Sequence, residues 1–410
     1  EPSAFAETIL AEIIDRYTAG RAAGQPAEDG EARALAAVFA RVVRNSIARR
    51  ELRPLVGLAI DCRQLDLLDL AVGAAESPTE ATQLLAYAKD CCLGPGLGHG
   101  SSTAFRRDAL LRLSSLLQQQ PAPDAVLIAE CLLAAEQPVE LARVLSELLR
   151  DGHAGLAAQI AFNVEADAPQ GFCGAVLAQL PQEQPAAFVR AILDGTLPGQ
   201  LRLEFLARAN HGDAQILERT RAALSAQASL HQQALACAAG IMQAGTAGDG
   251  FQRTGTDFVA HASNWAKFSA TAGLGAVHRG QGARGRALLA AYLPGTGTGG
   301  SAYSEGGALL ALGLMQTSRS AETVAYLQEQ LQAAQSEVLQ HGACLGLGAA
   351  SAGTHSSTTA DALRAVLFAD SATAGEAAAL GLGLAMLGSG PAALAEELHQ
   401  YARETQHERV

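Results

Sequence analysis

The feature that most constrains this chain is a short pattern written more than once: a glycine two residues from another glycine, inside otherwise helical sequence. Gly346-Leu347-Gly348 superimposes on Gly381-Leu382-Gly383 by a shift of 35 residues, and the same shift carries Gly353 onto Gly388 and Ala343 onto Ala378. A further 35 residues back from Gly348 lies Gly313, and 38 before that lies Gly275, with Gly273 completing its pair. Four copies in register are a repeat, and a period in the mid-thirties is the length of one helix-turn-helix unit. Such units stack because a single helix pair cannot bury its own apolar face. Each glycine in a helix interior costs roughly 1 kcal/mol relative to alanine, so Gly273, Gly275, Gly313, Gly346, Gly348, Gly381 and Gly383 together require compensation. With Ala308, Ala311, Ala343 and Ala378 beside them, the expected compensation is close approach of neighbouring helices where Cβ is missing. Gly348→Leu and Gly383→Leu should therefore overpack, whereas Gly98→Leu, in a loop, should be nearly neutral.

These residues resemble the proteasome/cyclosome repeats, a family shared by the two large non-ATPase scaffold subunits of the 26S proteasome regulatory particle and the largest subunit of the cyclosome. Longer words narrow the match. Asn264-Trp265-Ala266-Lys267-Phe268, the run Gly300 to Gly307, Thr373 to Ala378, and Glu404-Thr405-Gln406-His407-Glu408 are similar to the larger proteasomal branch. Val56 to Ile60, Ala158 to Phe162 and Leu203 to Asn210 resemble the rod-like region preceding the repeats in that branch. The resemblance is strong after Asn264 and patchy before it. It implies a scaffold in a large hetero-oligomer that contacts lid subunits and the ATPase ring, in the cytoplasm and nucleus. The family's first segment and later repeats are expected to lie outside this chain, since Glu1 opens it without methionine and Val410 stands where another repeat should begin.

Composition agrees with thin helical layers. The 410 residues are 49% apolar but only 4% aromatic, so cores must be built from Ala, Leu and Val, which suits two-helix layers. No run approaches the ~18 apolar residues of a membrane span, and no basic-then-apolar leader opens the chain; a soluble, intracellular protein is expected. The net charge of −12 leaves no footprint for nucleic acid or an anionic membrane surface. The seven cysteines, without a C-x-x-C pair, read as reduced thiols.

The first 250 residues read as helices separated by breakers. Phe5, Ile9, Ile13 and Tyr17 share a helical face ending at Gly20, and a second helix runs from about Ala32 to Arg49. Pro54 precedes two short apolar segments, Leu55 to Ile60 and Leu65 to Val72. Ser77-Pro78-Thr79-Glu80 is a capping box with proline at the first helical position. From Phe105 the helices come in pairs, broken at Pro121 to Asp124, Gln137-Pro138, Asp151-Gly152, Gln182 to Pro185, Thr196 to Gly199 and Asn210 to Asp213. That spacing describes an α-solenoid.

Three polar clusters stand out in the chain. The loop Gly94 to Ser102 is glycine-rich, but a helix precedes it and His99-Gly100 stands where a phosphate loop requires Gly-Lys. It reads as an inter-helix loop. His355, Ser356, Ser357 and Asp361 superficially suggest a hydrolytic cluster, yet Gly353 and the Ser/Thr run mark a turn between paired helices. Glu396, Glu397 and His399 read as a solvated face. No zinc spacing or nucleophile elbow is present. Trp265, the only tryptophan, reads as core filling, with a partner anchor as the alternative.

The sequence thus predicts an all-α fold: a rod of helix pairs over residues 1–250, leading into helix-turn-helix repeats over 251–410 that begin a toroid. The repeat signature is Gly273, Gly275, Gly313, Gly346, Gly348, Gly353, Gly381, Gly383 and Gly388, and Asn264, Trp265 and Phe268 mark a rod–toroid junction. No catalytic residue, cofactor or metal is expected. The alternatives are the cyclosome subunit, the smaller toroidal proteasome subunit, a free-standing helical-repeat adaptor, and a nucleotide-binding helical-repeat protein using the Gly94 loop.

Overall fold

A computed structural model describes residues 4–22, 30–94, 103–182, 185–210, 212–225, 228–254, 264–295, 301–317 and 320–407, and every regular element among them is helical. The chain divides into two compact units, residues 1–160 and 161–410. The loop at 95–102, with Gly98 and His99, lies outside the described residues, as do most of the first loop, Gly300 and Glu408.

The first unit holds α1 (Ala4–Ala22), α2 (Gly30–Ala48), α3 (Leu52–Asp61), α4 (Asp66–Gly73), α5 (Pro78–Leu93), α6 (Thr103–Gln118), α7 (Ala125–Ala134) and α8 (Pro138–Arg150). A further helix, α9 (Ala154–Asp167), crosses the division. The breakers act where the sequence places them. Ser77 accepts from the Glu80 N–H at 3.1 Å while the Glu80 carboxylate accepts from the Glu76 N–H at 2.8 Å, starting α5. Asp124 caps α7 through the N–H groups of Val126 and Leu127. Pro54 does not precede its helix but sits in the first turn of α3, where the absent N–H would have no intrahelical partner in any case. Leucines such as Leu55, Leu85, Leu113 and Leu145 are fully buried, and each such side chain contributes roughly 1.5–3 kcal/mol of burial.

The second unit opens with α10 (Gln170–Gln179), α11 (Ala186–Leu193), α12 (Thr196–Arg208), α13 (Ala214–Ala223), α14 (Ser229–Met242) and α15 (Gly250–Thr254). It continues with α16 (Asn264–Val277), α17 (Gly285–Leu288), α18 (Ala302–Leu314), α19 (Ala321–Ala333), α20 (Glu337–Ala350), α21 (Ser357–Leu367), α22 (Ala372–Ala385) and α23 (Ala392–Glu404). The glycine-bearing helices α14, α16, α18, α20 and α22 pack each on the next, and α19 and α21 cover α20 and α22 as a second layer. Between the layers Leu312, Leu327, Leu347, Leu363 and Leu382 are almost wholly buried. Two short segments of the preceding chain, residues 169–171 and 199–203, meet turns of this stack. Gly199 of α12 lies against Thr317, Leu203 fills the space beside Gly245 and Gly280, and the Gly171 N–H donates to the Gly353 carbonyl at 3.2 Å.

Candidate functional site, a glycine-lined helix stack

Two residues apart on an α-helix means a rotation of about 200°. The two glycines of a G-x-G therefore bare opposite flanks of one helix, and the structure uses both flanks. In α20, Gly346 faces the Leu309 carbonyl of α18, whereas Gly348 faces the Gly381 backbone of α22. In α16, Gly273 faces Ala236 and Gly240 of α14, whereas a Cβ on Gly275 would stand 2.5 Å from the Ala311 Cα of α18. Gly313 of α18 lies against the backbone of Gly346, and a Cβ on Gly381 would come within 2.7 Å of the Cys344 carbonyl oxygen. Around Gly275, Gly313, Gly346, Gly348 and Gly381 no side chain fits, because it is backbone that would have to yield, whereas at Gly273 the nearest atoms lie 3.7–3.8 Å away, an ordinary contact distance. Gly383 differs: a Cβ there meets nothing within 4 Å. It occupies the flank that faces the following helix in α16 and α20, and no described helix packs on that flank of α22.

Several members of this array escaped the sequence reading. Gly342 faces the Gly306 backbone, Gly307 faces the Phe268 carbonyl, and Gly240 faces Gly273. A signal existed for Gly240, which lies 35 residues before Gly275, and for Gly342, which lies 35 after Gly307. What hid them is that neither α14 nor the start of α18 carries the G-x-G word, and that Gly342 stands outside the one in α20.

Gly353 and Gly388 play a separate part. Both have positive φ, 64° and 82°, as do Gly245 and Gly280 at 72° and 90°, a conformation that glycine adopts without Cβ strain. From these turns backbone N–H groups reach the C-terminal carbonyls of the next stacked helix. Gly245 donates to Ala276, Gly280 to Met315 and Gly353 to Leu384, each at 2.9 Å. The ends of these helices thus gain hydrogen bonds from the neighbouring repeat, beside the local bonds that Arg279 and Leu387 donate to Ala276 and Leu384.

The polar clusters are spent on structure. His355 bonds the Leu387 carbonyl through Nε2 at 2.9 Å, Ser356 accepts from the Thr359 N–H as the cap of α21, and Asp361 pairs with Arg364. Glu397 is the second partner of Arg364 at 3.1 Å. His407 bonds the Asp370 carbonyl at 3.0 Å, while the Tyr401 and Thr405 hydroxyls donate to the Asp370 carboxylate. The Tyr401 hydrogen bond, with that of Thr405, holds the Asp370 carboxyl below its usual range. Burial pushes the thiols of Cys92, Cys131 and Cys344 up to about 12, so they stay protonated and unreactive near neutrality. Among the described residues there is no group of three His, Cys, Asp or Glu able to hold a metal, and no helix long and apolar enough to cross a membrane.

At the start of the repeats Asn264 opens α16 and is exposed. Trp265 is 38% exposed, and its ring meets Phe268, Tyr303 and His341 edge-on at 5.2–5.4 Å. Phe268 is buried beneath it. The tryptophan therefore bridges three successive stacked helices, α16, α18 and α20, while leaving one edge in solvent.

Comparison with known proteins agrees with this architecture. The family described as 26S proteasome subunit RPN2, N-terminal domain, matches residues 1–210, and the proteasome/cyclosome repeat matches residues 377–409. The chain is 34% identical over 397 residues to the 26S proteasome non-ATPase regulatory subunit 1 homolog A of Arabidopsis thaliana, covering 83% of this chain and 39% of that protein. It is 32% identical over 403 residues to the 26S proteasome non-ATPase regulatory subunit 1 of Drosophila melanogaster, covering 82% and 39%. It is 31% identical over 432 residues to the 26S proteasome regulatory subunit rpn2 of Schizosaccharomyces pombe, covering 100% and 44%. This chain therefore spans less than half the length of these relatives, and, with a stack of glycine-packed repeats following a domain matched over 210 residues, it belongs to the RPN2 family of 26S proteasome subunits.

Proposed function

We propose that the chain is part of a non-catalytic scaffold subunit of the 26S proteasome regulatory particle, which holds lid subunits and the ATPase ring in register for ubiquitin-dependent degradation, in the cytoplasm and nucleus. The observation that carries this reading is the two-sided glycine contact. A stack locked backbone to backbone across five helices resists bending, because the contacts involve main-chain atoms rather than side chains able to change rotamer. A stiff helical array offers docking patches at fixed spacing, and geometry is what a scaffold contributes. His355, Ser356, Asp361 and Glu397 serve as caps and pins of the helical array. The residue boundary near 250 belongs to this reading as the start of the repeat region.

The experiment is affinity capture of the tagged full-length protein from its own cells, with quantitative mass spectrometry of the stoichiometric partners. Recovery of ATPase-ring and lid subunits is the expected result. Recovery of cyclosome subunits, or of nothing stoichiometric, would overturn the assignment to this assembly. A nucleotide titration on the purified protein tests the non-catalytic part, with no saturable binding expected.

A further inference from the structure

Helix α2 carries an unneutralised basic face in a chain of net charge −12. Residues 33–63 hold seven arginines against Glu51 and Asp61 alone. On α2 itself Arg33, Arg41 and Arg44 fall within about 80° of one another at 100° per residue, on the flank opposite the buried Phe39, Val43 and Ser46. All three are exposed, and none forms an ion pair; Arg44 only touches the Ala40 carbonyl of its own helix at 3.3 Å. Several other arginines of the same unit are paired with a carboxylate, as in Arg16 with Glu12, Arg50 with Glu80, Arg112 with Asp69 and Arg143 with Glu140. The exposed residues between the three arginines near this face are small: Ala34, Ala37 and Ala40.

We infer that this face of α2 docks an acidic helical segment of a partner protein. Guanidinium forks bind carboxylates bidentately, and the arginines stand about 12 Å and 4.5 Å apart along the axis at 1.5 Å per residue, spacings that carboxylates on a second helix reproduce. The alanines between them let that helix approach closely, as small residues do in ridge-into-groove packing. A nucleic acid fits less well, because the face is one helix wide, has no interleaved aromatic ring for stacking and belongs to a strongly acidic chain. The inference names a partner chemistry for the scaffold proposed above and rests on that reading, but it fails separately from it.

The test is fluorescence anisotropy of the full-length protein with a labelled helical peptide bearing a stripe of glutamates, over a series of salt concentrations. Saturable binding that weakens with salt is expected. It should fall by at least about tenfold in Arg33→Glu/Arg41→Glu/Arg44→Glu, with an unchanged melting curve, and a lysine-striped peptide should bind that variant in its place. Absence of binding, equal affinity of the variant, or equal competition by a single-stranded oligonucleotide of the same charge would overturn the inference. Capture of lid and ATPase-ring subunits by the same charge-reversed variant would then leave the scaffold reading standing.

Discussion

At the scale of single residues, one sequence word has two physical meanings. Gly348 and Gly383 occupy the same place in the repeat, yet the first is pressed on the Gly381 backbone and the second faces open space. Gly348→Leu is expected to lower unfolding stability by about 1–3 kcal/mol or more through overpacking. Gly383→Ala should instead raise it, by up to about 1 kcal/mol, because helix propensity improves and nothing is displaced. Denaturant titration of the two variants decides the matter, and equal shifts would sink the two-sided contact. The G-x-G spacing was legible in sequence, since 200° of rotation follows from the helix alone. Which flank finds a neighbour was not, because that is a property of the neighbour.

At the scale of elements, helix starts are written locally and their fastening is not. Ser77 caps α5, so Ser77→Ala should cost roughly 1 kcal/mol, read as a fall in thermal midpoint. Helix α23 is held differently, through Tyr401 and Thr405 bonded to Asp370 in the turn after α21. The Asp370 carboxyl titrates below its usual range because the ionised form accepts the Tyr401 hydrogen bond. A carboxylate depressed in the folded state contributes stability that is present above its unfolded pKa and is lost as pH falls through the folded one. Hydrogen-exchange protection factors in α23, taken relative to the intrinsic rate at each pH, should therefore fall as the medium is acidified through that window. Asp370→Asn should flatten the response; a variant that keeps the wild-type pH profile would remove Asp370 from this role. Glu404 to Glu408 stood out in sequence as a word, but the use of Thr405 and His407 as a clasp on Asp370 depends on a turn some 35 residues away.

At the scale of the whole molecule, burial sorts seven chemically equal thiols. Cys237 is exposed and Cys91 partly so, while Cys62, Cys92, Cys131, Cys173 and Cys344 are buried. A thiol-specific reagent on the folded protein should modify Cys237 first, with the buried set reacting only on unfolding; a fast phase that survives Cys237→Ser would contradict this packing. The sequence by itself determined the helical class, the breakers and the repeat, because helix periodicity, caps and glycine register are local patterns carried within tens of residues. Only the tertiary structure decided that residues 169–171 and 199–203 meet turns of the stack, with Leu203 filling the spaces at Gly245 and Gly280. It likewise made α14 a member of the array and left Gly383 without a neighbour. Those outcomes depend on which surfaces meet, and a surface is assembled from segments that the linear chain keeps apart.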